Sequence, residues 1–306
     1  MGYYLGIDFG GTGIKIGLVS PDKKVIKKII LKVPEKPAPE KVGEAIREKI
    51  KTEFFRYKIV RAGCGICGDI DYRRGLVRFS PNLKWQNVSW GQILRTKLGL
   101  AIRVENDANA AAWGARIKRF PGAKNLVGIT LGTGVGGGII CGGEIYRGSS
   151  GTAGEIGHLS IEVNGPECSC GSRGCLEAYI GARALSRYAQ ARINRGEKSL
   201  LSQYSEITPA VIYQAASSGD KLAKSVFEYL GRILGVALAD ILNILNPEII
   251  VLMGGVSRAG KFFLPGLKQT LRARSFTSAY RRAKIVLSDN ADEPGIVGAA
   301  FLHLSN

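Results

Sequence analysis

Apolar and polar positions alternate through the opening of the chain. YYLGIDF, IKIGLVS and KVIKKIILKV, within residues 3 to 33, read as three strands joined by a glycine-rich turn and a Pro-Asp turn. Pro34, Pro37 and Pro39 interrupt that period, and Val42, Ala45, Ile46, Lys49 and Ile50 then recur at helical spacing, predicting a helix over 40–53. A strand over 59–66 ends in Gly68-Asp69-Ile70-Asp71, and a loop carrying Ser80-Pro81-Asn82-Leu83 follows. A helix over 90–98 and a short strand over 101–104 lead into Glu105-Asn106-Asp107-Ala108-Asn109 and an alanine-rich helix.

The opening scheme then repeats. Residues 125–131 form an apolar strand, Gly132-Thr133-Gly134 a turn, and 135–141 a returning glycine-rich strand. Helices over 209–217 and 221–245 precede a strand over 248–253, which runs directly into Gly254-Gly255-Val256-Ser257. A helix, a strand over 284–287 and a last helix over about 295–304 complete the pattern. Alternating strands and helices predict an α/β fold with helix-covered sheets.

At 306 residues the length suggests about two domains, each able to bury a core. Hydrophobic content of 45% and charged content of 22% describe a globular protein, and no apolar run approaches the ~20 residues of a membrane helix. The first residues, MGYYLGIDFGG, meet an acid and a glycine pair too early for a secretory leader, and the cysteines cluster as for a metal; both favour the cytoplasm. The net charge of +18 raises nucleic acid, membrane surfaces and polyanions as partners. Lys and Arg are scattered over wet faces with no basic arm or aromatic interleaving, which favours a solvated basic surface over a nucleic-acid footprint.

Candidate chemistry concentrates between Glu155 and Glu177. His158, Cys168, Cys170 and Cys175 form an H-x9-C-x-C-x4-C set, the ligands of a closed tetrahedral Zn2+ site, separated by turn formers. The competing reading is three small buried cysteines and a satisfied histidine. Glu155 and Glu177 bracket the set, so a zinc knot would fix two carboxylates and an imidazole as a substrate-orienting device. Such groups suit sugar hydroxyls better than an acidic metabolite, which the carboxylates would repel.

Asp8-Phe9-Gly10-Gly11-Thr12-Gly13 and Gly132-Thr133-Gly134 are tight turns whose amides and hydroxyls can point at phosphate oxygens, although glycine-rich hairpins are common without that purpose. Neither fits G-x-x-x-x-G-K-[ST]. Asp8 suits a Mg2+ ion held largely through water and substrate phosphates. Gly254-Gly255 offers a third close approach to a nucleotide, and Lys15 is either part of the first turn's chemistry or a strand residue facing solvent. Asn106-Asp107 opens a helix, where a cap and a catalytic base are compatible: the helix dipole keeps the carboxylate ionised, as a base taking a hydroxyl proton must be. Cys64-x-x-Cys67 invites a redox or second-zinc reading, with structural cysteines on a strand end as the stronger alternative.

These residues fall in LGIDFGGTGIKIG, SPNLKW, ENDANAAAWGA, LGTGVGGGII, GEIGH, CSCGSRGCLEAYIG and GGVS, spread from residue 5 to residue 257. In this set and order the chain resembles the ROK-family sugar kinases, a branch of the actin-like ATPase superfamily. The resemblance implies two actin-like (ribonuclease H-like) α/β domains with a cleft that closes on sugar and ATP. It implies a small domain of residues 1–106 plus about 290–306 and a large one of 107–289 with the zinc loop. By it Asp8, Gly10, Gly11, Thr12 and Lys15 form the first phosphate motif, Gly132, Thr133 and Gly134 the second, and Gly254 and Gly255 hold the nucleotide. Asp107 matches the base, with Asn106, Glu155, His158 and Glu177 on the sugar and Asn82 contributing from the small domain. His158 would bind zinc through one nitrogen and a sugar hydroxyl through the other. One departure is Cys67, near which the family usually has a proline.

The expected activity is ATP- and Mg2+-dependent phosphorylation of a hexose at its 6-hydroxyl, glucose foremost, with structural Zn2+ and a homodimer or dimer of dimers. Fructose, mannose, N-acetylglucosamine or N-acetylmannosamine are alternative substrates, and polyphosphate an alternative donor motivated by the charge. A sugar-responsive transcription regulator is the alternative class, disfavoured because the first phosphate strand begins at Tyr3 and leaves no room for a DNA-binding segment.

Overall fold

The computed structural model describes residues 2–11, 13–33, 37–290 and 293–306; Thr12 and Pro34 therefore lie outside the described residues. Strands β1 (Tyr3–Phe9), β2 (Gly13–Val19) and β3 (Val25–Lys32) form the expected antiparallel run, with Asp8 opposite Lys15 across the β1–β2 hairpin. Helix α1 (Pro39–Phe54) follows, with proline in its first turn where the missing N–H costs nothing. Strand β4 (Ile59–Ile66) pairs parallel to β1, helix α2 (Trp90–Leu98) crosses over, and β8 (Ile102–Asn106) pairs parallel to β4. The first sheet thus has the order β3-β2-β1-β4-β8.

Between β4 and α2 the sequence reading has only a loop. The structure has a three-stranded antiparallel sheet there: β5 (Asp69–Asp71), β6 (Leu76–Ser80) and β7 (Trp85–Val88). Ile70, Val77 and Trp85 bury one side of it, next to Phe9 and Trp90. Lys84 and Asn87 adopt φ of 56° and 53°, which breaks the alternation a strand reading depends on.

Helix α3 (Asp107–Arg119) leads to β9 (Leu126–Leu131), β10 (Val135–Cys141) and β11 (Glu144–Ile145). After the cysteine loop come α4 (Leu176–Ile180), α5 (Ala182–Asn194), α6 (Pro209–Ser217) and α7 (Lys221–Leu245). Strand β12 (Ile249–Met253), α8 (Gly260–Arg274), α9 (Thr277–Arg282), β13 (Lys284–Leu287) and α10 (Glu293–Ala300) follow. The second five-stranded sheet has the order β11-β10-β9-β12-β13. Both large sheets therefore combine an antiparallel hairpin edge with parallel strands, the pattern that the repeated strand–turn–strand motifs anticipate. No helix among the described residues is long and apolar enough to cross a membrane.

The chain divides into two compact units, 1–128 with 137–154 and 292–306, and 129–136 with 155–291. This seam differs from the one expected at residue 106, because α3 packs with the first unit. Its Gly114 and the Gly298 of α10 lie where an added Cβ would come within 1.9 Å of Pro294 O and 1.7 Å of Ala110 O, so only glycine permits this crossing. α10 does return to the first unit, as the sequence implies, and its Ile296 and Ala300 sit against β1 and β2. Within the second unit α7 buries Leu222, Val226, Leu230, Leu234, Leu238 and Ile241, and packs on α8 at Gly231 and Gly235, where an added Cβ would lie 2.1 Å from Phe263 O and 2.7 Å from Thr270 Cβ. Asp220 starts α7 by accepting from Ala223 N–H at 2.7 Å, and Asn246 ends it in the left-handed region.

Candidate functional site

In the first unit β1, β4 and β8 are parallel, so their carboxyl ends lie side by side. Asp8 pairs with Gly65 and Ile66 with Asn106 in the ladder, and a Cβ on Gly65 would lie 3.3 Å from Asp107 Cα. Carboxyl ends of adjacent parallel strands are where open α/β sheets bind ligands. Asp8 and Asp107 both occupy that edge.

Gly10 N–H donates to Gly13 O at 3.1 Å and closes the first turn. Lys15 Nζ reaches Asp8 Oδ2 at 3.4 Å, so Lys15 faces the carboxylate across the hairpin. The Asp8 side chain is 16% exposed, shielded by the start of α10, where a Cβ on Gly295 would lie 2.9 Å from Asp8 Cγ. A partly shielded carboxylate beside a glycine turn fits a Mg2+ ion held through water and phosphate oxygens. Asn82 lies over the turn, its side chain 3.3 Å from the position of a Cβ on Gly11.

Asn106 is a complete cap. Its Oδ1 accepts from the N–H groups of Ala108 at 2.9 Å and Asn109 at 3.1 Å, and its Nδ2 donates to Gly68 O at 3.2 Å. One amide hydrogen remains for any ligand. Asp107 stands at the first helical position, also accepting from Ala108 N–H at 2.9 Å, with the N-terminal dipole behind it.

Beneath these residues lies a buried network to which the sequence reading assigns no role. Glu105 accepts from Asn106 N–H at 3.0 Å and Asn109 Nδ2 at 3.2 Å through one oxygen, and from Arg147 Nε at 2.7 Å through the other. Asn109 Oδ1, buried near Gly154, has no partner among the described residues. Glu105 stands in the ENDAN run of the sequence, whereas Arg147, 42 residues away, belongs to no motif.

Cys64 and Cys67 lie at the end of β4, both buried. Burial pushes each thiol up to about 12, so both stay protonated. Trp90 Nε1 donates to Cys64 Sγ at 3.4 Å, and Cys67 Sγ lies 3.8 Å from Ser80 Oγ. They are packed thiols, not a redox pair.

In the second unit, Gly132 N–H donates to Gly134 O at 3.0 Å, closing the second turn, and Ala182 N–H anchors it through the carbonyls of Gly132 and Thr133 at 3.2 Å. Gly254 follows β12 with φ of 87°, and a Cβ there would lie 2.4 Å from Leu131 O. This approach brings Gly254 and Gly255 to the same sheet end as Gly132, Thr133 and Gly134.

Glu177 links that turn to the cysteine loop. Its Oε2 accepts from Val135 N–H at 2.9 Å, and a Cβ on Gly134 would lie 2.1 Å from the same oxygen. Its Oε1 accepts from Ser169 Oγ at 3.4 Å. The ligand atoms of His158, Cys168, Cys170 and Cys175 all lie within 4.8 Å of one another. Cys168 Sγ is 3.7 Å from His158 Nδ1, and Cys170 Sγ is 3.7 Å from Cys175 Sγ. Tetrahedral zinc with Zn–S of about 2.3 Å puts its ligand atoms roughly 3.5–3.8 Å apart, so the donor set and spacing fit that ion. Burial, then the neighbouring thiols, push Cys175 up to about 12, a cost that a bound cation would reverse. With Nδ1 toward the thiols, His158 Nε2 points toward Glu155, 4.0 Å from its Oε2.

Each unit thus assembles most of the residues singled out in its part of the sequence; Thr12 lies outside the described residues. The first carries a carboxylate edge with a glycine turn, the second a turn of backbone amides, a glycine pair and an imidazole oriented by a thiol cluster.

A family model described as "ROK family" matches residues 4–306. A glucokinase from Streptomyces coelicolor is 35% identical, over 99% of this chain and 98% of its own length. A putative xylose repressor from Caldicellulosiruptor is 31% identical, over 100% of this chain and 79% of its own. Among solved structures, a ROK family glucokinase from Streptomyces griseus in complex with glucose and AMPPNP superposes with a TM-score of 0.88 at 34% identity, covering 98% of this chain and 99% of that one.

Proposed function

The chain belongs to the ROK family and has its two-domain, actin-like ATPase fold, and from that premise we propose that it is an ATP-dependent hexokinase whose main substrate is glucose. The observation that carries this reading is the placement of Asp107 at the head of α3, on the same strand-end edge as Asp8.

Asp107 is the base. Its carboxylate accepts the proton of the sugar 6-hydroxyl as the oxygen attacks the γ-phosphorus, and ADP departs. Because phosphoryl transfer depends on positioning and charge neutralisation, the remaining residues orient and hold. Glu155, His158 through Nε2, Glu177 and the free amide hydrogen of Asn106 bind sugar hydroxyls, with Asn82 beside the first turn. The amides of Gly11, Thr133 and Gly134 face phosphate oxygens on turns that the Gly10 and Gly132 N–H groups close, Lys15 adds positive charge, and Gly254 and Gly255 let the nucleotide approach the backbone. Asp8 would hold Mg2+ through water, and that ion would offset the charge of the substrate phosphates. Zn2+ would be held by His158 Nδ1, Cys168, Cys170 and Cys175, fixing the imidazole that reads the sugar. Glu177 is less free than the sequence suggests, since Val135 N–H holds Oε2 and Ser169 Oγ reaches Oε1, which would have to serve the substrate as well.

We place the protein in the cytoplasm as a homodimer, which light scattering on the purified chain would test. The second reading, a sugar-responsive regulator, is favoured by the match to the xylose repressor along the whole chain. ADP release with Mg-ATP over glucose, mannose, fructose, N-acetylglucosamine and N-acetylmannosamine decides between them, with kcat/KM as the measure of discrimination. Glucose preference supports the proposal, and preference for another sugar reassigns the substrate. No turnover of any sugar by zinc-loaded, folded protein replaces the kinase with the regulator.

A further inference from the structure

On the first unit a cavity of about 310 Å3 opens among Tyr72, Arg73, Arg95, Arg103, Glu105 and Arg147. Four guanidinium groups share it with the Glu105 carboxylate and with the last residue, Asn306, whose O accepts from Arg147 Nη1 at 2.6 Å. Glu105 is the partner of Arg147; among the described residues no carboxylate lies within ion-pair distance of Arg73, Arg95 or Arg103. Arg73, Arg95 and Arg103 thus stand around one concave space without an ion-pair partner among the described residues.

The walls are built and not merely lined by mobile side chains. Arg147 is 9% exposed, its Cζ lies 4.2 Å from the centre of the Tyr72 ring, and its Nη2 donates to Ser305 Oγ at 3.1 Å. Arg103 Nη1 donates to the carbonyls of Leu302 at 3.3 Å and Ser305 at 2.5 Å. Arg73 Nε donates to the Tyr72 hydroxyl at 3.2 Å. Arg147 is largely committed, through Nε, Nη1 and Nη2, whereas Arg73 and Arg103 use one or two of their five N–H groups.

We propose that this cavity is a binding site for a phosphate-bearing small molecule, separate from the sugar and nucleotide residues assigned above. Planar guanidinium forks match phosphate oxygens two at a time, which ammonium groups do not. Like charges held close without counter-ions repel one another, and an oxyanion of charge about −2 relieves that repulsion. The volume is at the lower end of the range of small-molecule pockets, about 300–1,000 Å3, which suits a phosphomonoester with a compact body and not a nucleic acid strand. The site shares Glu105 and Arg147 with the network beneath Asn106. Its occupancy thus bears on the residues that hold the start of α3.

The inference does not depend on the kinase reading, and its test measures binding. Full-length protein, with excess glucose and AMPPNP present to occupy the proposed substrate residues, is titrated calorimetrically with inorganic phosphate and with glucose 6-phosphate. We expect one equivalent of at least one probe to bind, at least tenfold more weakly in Arg95→Gln and in Arg73→Gln. Both side chains are exposed and neither is in an ion pair, so the variants should keep the wild-type melting temperature. Tighter binding of glucose 6-phosphate identifies a phosphomonoester site, and equal binding of both probes identifies the oxyanion alone; either supports the site. No binding of either probe to the wild-type protein overturns it, as does binding that both variants retain in full.

Discussion

Glu105 and Arg147 meet at 2.7 Å with side chains only 3% and 9% exposed, and Glu105 lies two residues before the one proposed as the base. Removing one member of such a pair strands a buried charge, which costs about 3–5 kcal/mol, whereas replacing both can be nearly neutral. Arg147→Met should therefore lower the urea unfolding midpoint substantially. The double variant Glu105→Gln/Arg147→Met should regain more than half of the loss. A single variant that unfolds at the wild-type midpoint would mean that the pair is energetically idle.

Asp107→Asn keeps an oxygen that can accept from Ala108 N–H, so the start of α3 should survive the change. Proton acceptance would be lost. The expected result is a fall in kcat of about 10²–10⁴ with little change in the KM for sugar. Near-normal turnover would remove Asp107 as base while leaving the family assignment intact.

Zinc removal should act through local order. Cys175 is buried at the foot of the loop and abuts Cys170, so Cys175→Ser or prolonged chelation should release the metal. Metal analysis should show the loss of about one zinc per chain, and limited proteolysis should newly cut between 155 and 177. Because Glu177 ties the loop to Val135, sugar KM should rise before the fold as a whole melts. Full activity in metal-free protein would dispose of the orienting role.

What could be read from the sequence was what lies close along the chain. The period-two alternation of residues 3–33 predicts the hairpin, and the hairpin alone places Asp8 opposite Lys15. The four zinc-type ligands lie within eighteen residues, so spacing and turn formers nearly define the cluster. Where pairing depends on tertiary packing, the sequence reading fell short. Glu105 reaches Arg147 only after β9, β10 and β11 have brought the chain back. The β5–β7 sheet has strands of three to five residues, too short for a pattern to emerge. Helix α5 was passed over because Gly181 gives it no side-chain cap and Arg183 and Arg187 dilute its apolar face. The packing of α3 on α10 could not be read either, because the glycine contacts that fix it carry no signal in a single sequence.

That crossing yields its own test. Gly298→Ala would put a methyl group 1.7 Å from Ala110 O, and the obstacle is helix backbone that cannot swing aside. Overpacking of this kind costs about 1–3 kcal/mol when neighbours can shift, and here should reach the upper end of that range. Gly122→Ala, where nothing lies within 4 Å, is the control and should be close to neutral. Equal melting temperatures for the two variants would show that the crossing is looser than the contact implies.

The last prediction concerns the buried thiols Cys64 and Cys67, both pushed up to about 12 by burial from an ordinary value of 9.0. A thiol is neutral when protonated, so in the window from about 9 to about 12 the folded chain holds protons that the unfolded chain has released. Stability supplied by these groups is complete below pH 9 and falls as pH rises through the window, by about 1.4 kcal/mol per pH unit for each thiol. Cys64→Ala should flatten that alkaline loss by one thiol's share, as read from urea midpoints between pH 8.5 and pH 11. At pH 8 a thiol reagent should label the exposed Cys141 while leaving Cys64 and Cys67 untouched until the protein unfolds. Rapid labelling of Cys67 in native protein would show instead that the end of β4 opens to solvent, and would return the C-x-x-C pair to consideration as a reactive site.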